Sequence, residues 1–317
     1  MSFSDKHSDS QTESDYEFLR RASQAYRQVL EQAEQIVVGQ QSVLEGLVIA
    51  MVSGGHCLLE GGPGMAKMTI LSTLAKLFGL EFRRISLTPD MMPYDIIQNA
   101  IDANQRTNVL LVEEINCAQP KTRMTLLNAI QDDSITLGQT SYPLPKPFFL
   151  VATETPIDRD HVSTLSASQL DRFMMKLVAG YPSFGEEFEL VRRMASLPDH
   201  IIQPVFTPDE LLRLQELIPR TPVSDEVAEF AVTMIRKTRV EDPGETFEFM
   251  PQQVARGVDT SSLHALIRAA QARAILCGRS RTAKNDVRYV SKLVLRHRLV
   301  MLPDASLSSD EVIEQLD

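Results

Sequence analysis

A glycine-rich segment at residues 61–69 constrains the fold of this chain more than any other feature. It follows the short apolar run Cys57-Leu58-Leu59 and precedes a run of helical spacing at residues 69–78. Strand, glycine-rich turn, lysine and helix form the layout of a P-loop, in which backbone N–H groups, the helix N-terminus and the lysine bind phosphate oxygens. The predicted nucleotide-binding residues are Gly61, Gly62, Pro63, Gly64, Met65, Ala66, Lys67, Met68 and Thr69.

One position in this segment departs from the P-loop pattern. The pattern ends in Gly-Lys-Ser/Thr, whereas here Lys67 follows Ala66 and precedes Met68. Mg²⁺ takes oxygen ligands, and a methionine thioether supplies none. Thr69 lies one residue further on, about 100° around a helix, so its hydroxyl does not replace the missing one. The segment predicts binding of ATP or ADP together with weak binding of Mg²⁺.

Composition and charge narrow the class of protein. The 317 residues are 43% hydrophobic and 23% charged, which is enough for two domains with their own cores. A net charge of −10 argues against a nucleic-acid partner, because nucleic-acid binders present basic surfaces. No apolar run reaches eighteen residues and the first fifteen residues are polar, so we expect no membrane span, no secretory leader and a cytoplasmic location. Three widely spaced cysteines are expected to be reduced thiols.

The order of patterns along the chain predicts three parts. Residues 1–15 are rich in serine and acidic residues and predict a flexible tail. Residues 16–183 begin with helical spacing and then alternate short apolar runs with helical stretches, which predicts a mainly parallel sheet covered on both faces. Residues 184–317 read as helices only. The predicted strands lie at residues 56–59, 82–87, 108–112 and 148–153, and a hairpin is predicted at residues 134–142.

Two acidic residues follow the most apolar of these runs. Val109-Leu110-Leu111-Val112 reads as a buried central strand, and Glu113 and Glu114 come directly after it. The carboxyl ends of parallel strands face bound ligands, so the two carboxylates are expected near the phosphates. The alternative interpretation is a pair of solvated acids at a strand end.

With the loop, the acidic strand end and the helical second half together, the chain resembles the MoxR family of AAA+ ATPases from about residue 36 to residue 299. The resemblance implies an AAA+ P-loop core with a C-terminal helical lid. It also implies a ring-forming, ATP-driven chaperone, often partnered with von Willebrand-type domain proteins. Besides the loop, the segments that carry the resemblance are Phe82-Arg83-Arg84-Ile85, Thr88-Pro89-Asp90-Met91-Met92-Pro93-Tyr94-Asp95-Ile96, Glu114-Ile115-Asn116, Pro120-Lys121-Thr122, Tyr142-Pro143-Leu144-Pro145, Leu170-Asp171-Arg172-Phe173 and Gly180-Tyr181-Pro182-Ser183.

The resemblance assigns roles to individual residues. Glu113 would help to hold Mg²⁺, and Glu114 would be the general base that orients the attacking water. Thr155 would be sensor 1 at the tip of the neighbouring strand. Arg172 would be an arginine finger that reaches the γ-phosphate held by a neighbouring subunit, the alternative being a local ion pair with Asp171.

Four positions differ from the pattern of the family, which has threonine at Met68, aspartate at Glu113, asparagine at Thr155 and arginine at Ser261. The first hypothesis is therefore an ATP hydrolase whose turnover is weakened. The second is a degraded member that acts as a nucleotide sensor or scaffold within a ring. A third, a DNA-acting AAA+ protein, is disfavoured by the acidic composition.

Overall fold

The computed structural model describes residues 5–62, 64–100, 107–137, 139–154, 164–196, 201–240, 247 and 249–316. Its first element is a long helix, α1 (Asp5–Glu34), followed by α2 (Gln41–Val52). The buried residues of α1 recur every three or four positions, which gives the helix one apolar face toward the core. These residues are Phe18, Ala22, Tyr26, Val29 and Ala33.

Helix α1 starts earlier than the sequence indicates. A flexible tail was predicted up to residue 15 and a helix from Tyr16, but the helix begins at Asp5. Arg213 donates to Asp15 Oδ1 at 2.8 Å and so fixes the helix at the predicted boundary. Extending a helix from a fixed turn is easier than starting one, because each added residue gains a backbone hydrogen bond.

The described strands of the core form a five-stranded parallel sheet in the order β2-β3-β6-β1-β7. The elements that connect them lie on both faces, and β4 pairs with β5 as the predicted hairpin. The bounds in chain order are β1 (Cys57–Glu60), α3 (Lys67–Leu77), β2 (Phe82–Ser86), α4 (Pro93–Ala100), β3 (Val109–Glu113), α5 (Pro120–Asp132), β4 (Ser134–Leu137), β5 (Thr140–Pro143), β6 (Phe149–Glu154), α6 (Ala167–Leu170) and β7 (Met175–Val178).

Strand β3 shows why the sheet is buried on both sides. Val109 and Leu111 pack in the cluster that contains the apolar residues of α1, α2 and α3. Leu110 and Val112 pack in the opposite cluster, against α5. Successive side chains of a strand point to opposite faces, so a continuous apolar run is what two covered faces require. The predicted mainly parallel sheet is therefore present.

The described part of the C-terminal region consists mainly of helices. Thr207 caps α8 (Pro208–Leu217): its Oγ1 accepts a hydrogen bond from the backbone N–H of Glu210, and its own backbone N–H donates to Glu210 Oε2 at 2.9 Å, which completes a capping box. A short antiparallel pair, β8 with β9, adds to the predicted helices. The bounds are α7 (Phe184–Ser196), α8 (Pro208–Leu217), α9 (Asp225–Lys237), α10 (Met250–Gln253), β8 (Val254–Arg256), α11 (Ser262–Leu276), α12 (Lys284–Leu295), β9 (Val300–Met301) and α13 (Ser309–Glu314).

A buried histidine ties two strands of the sheet together. His56 directly precedes β1, and its Nδ1 accepts a hydrogen bond from the backbone N–H of Leu150 in β6 at 3.1 Å. Burial lowers the pKa of His56 to about 4, against the weaker opposing effect of Asp133. The imidazole is therefore neutral at physiological pH and carries its proton on Nε2.

Among the described residues, no helix combines the length and the apolar character that crossing a bilayer requires.

Candidate functional site

The glycine-rich segment lies between β1 and α3, as predicted. Gly64 has φ of +83° and Ala66 has φ of +50°, so the chain turns through left-handed conformations before α3 begins at Lys67. A Cβ at Gly61 would lie 3.0 Å from the carbonyl oxygen of Ala179, so a side chain there would require Ala179 to shift. Such a turn directs backbone N–H groups toward one point at a helix N-terminus. Pro63 lies outside the described residues.

Lys67 is folded back onto the loop. Its Nζ donates to the carbonyl oxygens of Gly61 at 2.6 Å and Gly62 at 3.2 Å. Burial lowers the pKa of Lys67, and the charges of Glu113 and Glu114 oppose that shift. The structure thus brings the loop lysine and the two predicted strand-end carboxylates into one charged group.

The residue after the lysine presents no oxygen. The Met68 side chain is 49% exposed, and Thr69 is half-buried one position further along α3. The backbone carbonyl of Thr69 accepts from Ser72 Oγ at 3.2 Å, an ordinary contact within the first turns of a helix. The hydroxyl that a P-loop places at position 68 has no counterpart in the side chain found there.

Glu113, the predicted metal-binding acid, is held by two residues of the neighbouring strand β2. Its Oε2 accepts from Nε and Nη2 of Arg84, each at 2.6 Å, and from Ser86 Oγ at 2.7 Å. Ser86 is the register partner of Glu113, and Arg84 lies two residues earlier on the same face of β2. The sequence analysis missed both partners, although polar residues at the alternate positions 84 and 86 of a predicted strand were a signal.

Glu114 follows the strand in a left-handed conformation, with φ of +58° and ψ of +47°. Its backbone N–H donates to Thr153 Oγ1 of β6 at 3.2 Å, and its Oε2 accepts from Cys117 Sγ at 3.5 Å. Non-glycine residues in this conformation are strained and cluster at functional sites. The geometry places the predicted base at a sharp turn, half-buried, beside Lys67.

A second group of charges lies where β1, β6 and β7 end. Lys176 Nζ lies 2.6 Å from Glu60 Oε2 and 4.0 Å from Glu154 Oε2. Burial raises the pKa of Glu154, as does the charge of Glu60, while Lys176 and Arg123 act in the opposite direction. Strands β1, β3 and β6 therefore each end in a glutamate. Thr155, the predicted sensor 1 residue, follows Glu154 and lies outside the described residues.

Arg172, the predicted finger, contacts an asparagine rather than the neighbouring acid. Its Nη1 donates to Asn128 Oδ1 of α5 at 2.5 Å. The Asp171 carboxylate instead accepts from Nε of Arg298 at 2.8 Å. The local ion pair between Arg172 and Asp171 that the sequence left open is thus replaced by a contact from the C-terminal region.

Arg298 belongs to a contact that the sequence analysis did not foresee. It is 8% exposed and also donates to the carbonyl oxygens of Phe173 at 2.8 Å and Met174 at 3.1 Å. The adjacent His297 contacts the same Phe173 carbonyl through Nε2 at 3.0 Å. The segment that carries Arg172 is therefore fixed by residues that follow α12.

Ser261, the residue predicted at the sensor 2 position, lies immediately before α11. It is exposed and has helical backbone angles. Arg256 lies 3.6 Å from Asp259 in an exposed pair, and Arg268 lies within α11. The position at the start of this helix thus carries a hydroxyl, and the nearby arginines stand several residues away from it.

The side chains at the predicted Mg²⁺ position do not fit that ion. Mg²⁺ requires near-octahedral oxygen coordination. Here one oxygen of Glu113 is already bonded to Arg84 and Ser86, and Met68 offers sulfur. In the part of the chain that the structure describes, no group of three or more His, Cys, Asp or Glu side chains is arranged to hold a metal ion.

Comparisons with known proteins agree with this architecture. Residues 56–175 match the ATPase family associated with various cellular activities (AAA), and residues 251–316 match the AAA lid domain. A Cytophaga hutchinsonii crystal structure, described as that of a candidate ATPase, is similar at a TM-score of 0.85 and 28% identity, over 97% of this chain and 96% of that one.

Two curated relatives extend the similarity to nearly the whole chain. Chaperone MoxR1 of Mycobacterium tuberculosis is 36% identical over 90% of this chain and 78% of its own length. The uncharacterized protein YeaC of Bacillus subtilis is 32% identical over 87% of each chain. The predicted AAA+ core with a C-terminal lid is confirmed, and the chain belongs to the MoxR family of AAA+ ATPases.

Proposed function

We propose that this protein binds ATP or ADP at the loop of residues 61–69 and works as one subunit of an AAA+ ring that remodels or assembles protein partners. The observation that carries the proposal is the grouping of Lys67 with Glu113 and Glu114 beside the loop. The name of the Mycobacterium relative, a chaperone, supports a protein client. A von Willebrand-type domain protein is the partner class we propose, with residues 16–183 as the nucleotide-binding core and residues 184–317 as the lid.

The residues divide the chemistry among them. On nucleotide binding, Lys67 exchanges the carbonyl oxygens of Gly61 and Gly62 for the β- and γ-phosphate oxygens, and the loop N–H groups bind the remaining phosphate oxygens. Glu114 accepts the proton of the attacking water. Arg172 of a neighbouring subunit approaches the γ-phosphate and neutralises the charge that develops there.

Hydrolysis is proposed to be slow. Losing one well-placed electrostatic contact costs about 10²–10³ in rate, and several such losses combine in a non-additive way. Here Met68 replaces a hydroxyl, Glu113 is held by Arg84, and Ser261 replaces an arginine. The contact between Glu113 and Arg84 also favours the second candidate function, a nucleotide sensor or scaffold that binds without turning over.

Calorimetry and a phosphate-release assay separate these functions. We expect ATP binding in the micromolar range, retained in Lys76→Ala and lost in Lys67→Ala. Lys76 is the matched control because it is an exposed lysine on the same helix. Turnover above that of Lys67→Ala identifies an ATPase, and binding without turnover identifies a sensor. A folded wild-type chain that binds neither ATP nor ADP contradicts the proposal.

A further inference from the structure

The contact of Glu113 with Arg84 and Ser86 lies where a P-loop protein would bind its metal. Both guanidinium contacts reach the same carboxylate oxygen at 2.6 Å, and the Ser86 hydroxyl reaches that oxygen at 2.7 Å. Charge-assisted bonds this short are among the strongest that side chains form. An ion that took this oxygen as a ligand would have to displace all three donors.

The strand pairing makes this contact part of the sheet rather than a chance meeting of surface side chains. Ser86 and Glu113 are register partners across the parallel β2–β3 pair, and Arg84 stands on the same face. Residues opposite one another in a sheet have Cβ atoms about 5 Å apart, within reach of their side chains. The Glu113 side chain is 19% exposed, so solvent screens the contact only in part.

The length of the side chain at position 113 also favours the contact with Arg84. Glutamate carries one methylene more than the aspartate of the family pattern, which moves the carboxylate by about 1.5 Å. With Glu113, the carboxylate lies within hydrogen-bond distance of the Arg84 guanidinium. The second metal-binding position has changed as well, because Met68 offers no oxygen. Neither position therefore offers Mg²⁺ a free side-chain ligand: position 68 carries methionine, and the Glu113 oxygen is paired with Arg84.

We propose that Arg84 and Ser86 hold Glu113 away from the metal, so that this protein binds ATP equally well with and without Mg²⁺. This inference rests on the proposed nucleotide binding at residues 61–69. Arg84 is a positioning residue in this proposal, since it acts through Glu113. The phosphate charge is then met by Lys67 and the loop N–H groups rather than by a divalent cation.

The test is the ratio of the ATP dissociation constants measured by calorimetry in EDTA and in excess MgCl₂ on the full chain. For the wild type we expect a ratio within about threefold of one, which is less than 1 kcal/mol. A wild-type ratio of about tenfold or more in favour of Mg²⁺ overturns the inference and leaves the proposed function intact. A folded wild type that binds no ATP in either buffer overturns both.

Variants show whether Arg84 is the cause. Met68→Thr alone restores a hydroxyl but leaves Glu113 held, so we expect the ratio to stay within a few-fold of one. Met68→Thr with Arg84→Gln restores the hydroxyl and removes the ion pair, which leaves only the Ser86 hydroxyl on Glu113, and the ratio should rise to about tenfold or more. If Met68→Thr alone produces the full rise, Arg84 has no such role and the inference is wrong.

The matched control combines Met68→Thr with Arg83→Gln, which removes the same charge from the opposite face of the same strand. The ratio of dissociation constants for this control should equal that for Met68→Thr alone. A rise as large as that of the Arg84 variant would mean that the loss of one positive charge, not the contact with Glu113, causes the effect, and would overturn the inference. If Arg84→Gln does not fold, Glu113→Asp with Met68→Thr serves instead. The shorter carboxylate withdraws from Arg84, so this variant should give the same rise, and an unchanged ratio would contradict the proposal.

Discussion

Arg298 donates Nε–H to Oδ1 of Asp171 at 2.8 Å, and this pair joins the end of α12 to the residue before Arg172. The two residues lie 127 positions apart in the sequence. Since the same guanidinium also bonds the carbonyl oxygens of Phe173 and Met174, the lid and the segment of the proposed finger form one hydrogen-bonded unit. A shift of the residues after α12 would thereby change the position of the backbone beside Arg172.

Arg298→Met should destabilise the protein by about 2 kcal/mol or more, because buried carbonyl oxygens lose their donor. For a chain of 317 residues the melting temperature should fall by roughly 3 °C or more. Arg298→Lys should recover only part of the loss, since an ammonium cannot reproduce the planar set of donors. Differential scanning calorimetry measures both.

The matched control is Arg296→Met. Arg296 lies at the same helix end but pairs with Asp310 in the first turn of α13, at 2.9 Å. We expect a smaller fall in melting temperature for this variant. An equal fall would mean that the contacts of Arg298 with residues 171–174 do not stabilise the fold more than the ion pair of Arg296 does.

Acid should destabilise the fold through His56. Its pKa is about 4 in the folded protein against 6.5 ordinarily, so on acidification the unfolded chain takes up this proton first. The contribution is fully present above pH 6.5 and is lost as the pH falls from 6.5 to 4, amounting to roughly 3 kcal/mol. Burial also lowers the pKa of His297, which acts in the same direction.

His56→Asn keeps an acceptor for the Leu150 N–H and removes the titrating ring. The difference in unfolding free energy between pH 7 and pH 4.5 should shrink by about 2–3 kcal/mol in urea titrations. His264→Asn, at an exposed position of α11, should leave that difference unchanged. If both variants keep the wild-type pH dependence, the titration of His56 is not its source.

Glu154 should lower stability at neutral pH. Its folded pKa is raised above the ordinary 4.5 by burial, so the folded state holds this proton more tightly than the unfolded chain does. Stability then falls as the pH rises from 4.5 through the folded pKa. Glu154→Gln should raise the melting temperature at pH 7.5 by about 1–3 °C, with the gain vanishing toward pH 4.5. Glu31→Gln, on an exposed position of α1, should show no such gain, and a lower melting temperature for Glu154→Gln would contradict the prediction.

Glu114 should show a conflict between stability and activity. Its left-handed backbone costs a non-glycine residue roughly 1–2 kcal/mol. Glu114→Gly and Glu114→Ala both remove the proposed base, but only glycine relieves the backbone. We expect the glycine variant to be more stable than the alanine variant by about 1 kcal/mol in chemical denaturation, and neither to hydrolyse ATP. Equal stabilities would show that no strain is stored at this position.

Local patterns predicted the framework of the fold well. Strands β1, β2, β3 and β6 lie within one residue of the predicted ends, and β4 and β5 form the predicted hairpin. Apolar runs, caps and proline positions act within a few residues and can be read directly. Strand β7 was missed because Met175–Val178 alternates Lys176 with apolar residues over only four positions, which is too short a pattern to distinguish.

The sequence predicted residues for the candidate site but not their contacts. Lys67, Glu113 and Glu114 were chosen from their positions beside a turn and a strand end, and the charges of the two glutamates do act on Lys67, while the roles assigned to the three residues stay predictions. The contact of Arg84 with Glu113 depends on which strands are neighbours and in which register. Arg84 and Glu113 lie 29 positions apart, so local sequence patterns carry no information on their contact. The contact between Arg298 and Asp171, 127 positions apart, could not be predicted for the same reason.

The three glutamates that end β1, β3 and β6 affect the association rate expected for a nucleotide. Arg84 already faces Glu113, and Lys176 faces Glu60 and Glu154, so this edge of the sheet presents little net positive field on a chain of charge −10. Electrostatic steering accelerates the encounter with an anion only when the surrounding potential is positive, and such acceleration fades as salt is added. For the proposed binding of ATP we therefore expect no electrostatic steering, so that the association rate constant should not fall as the ionic strength rises.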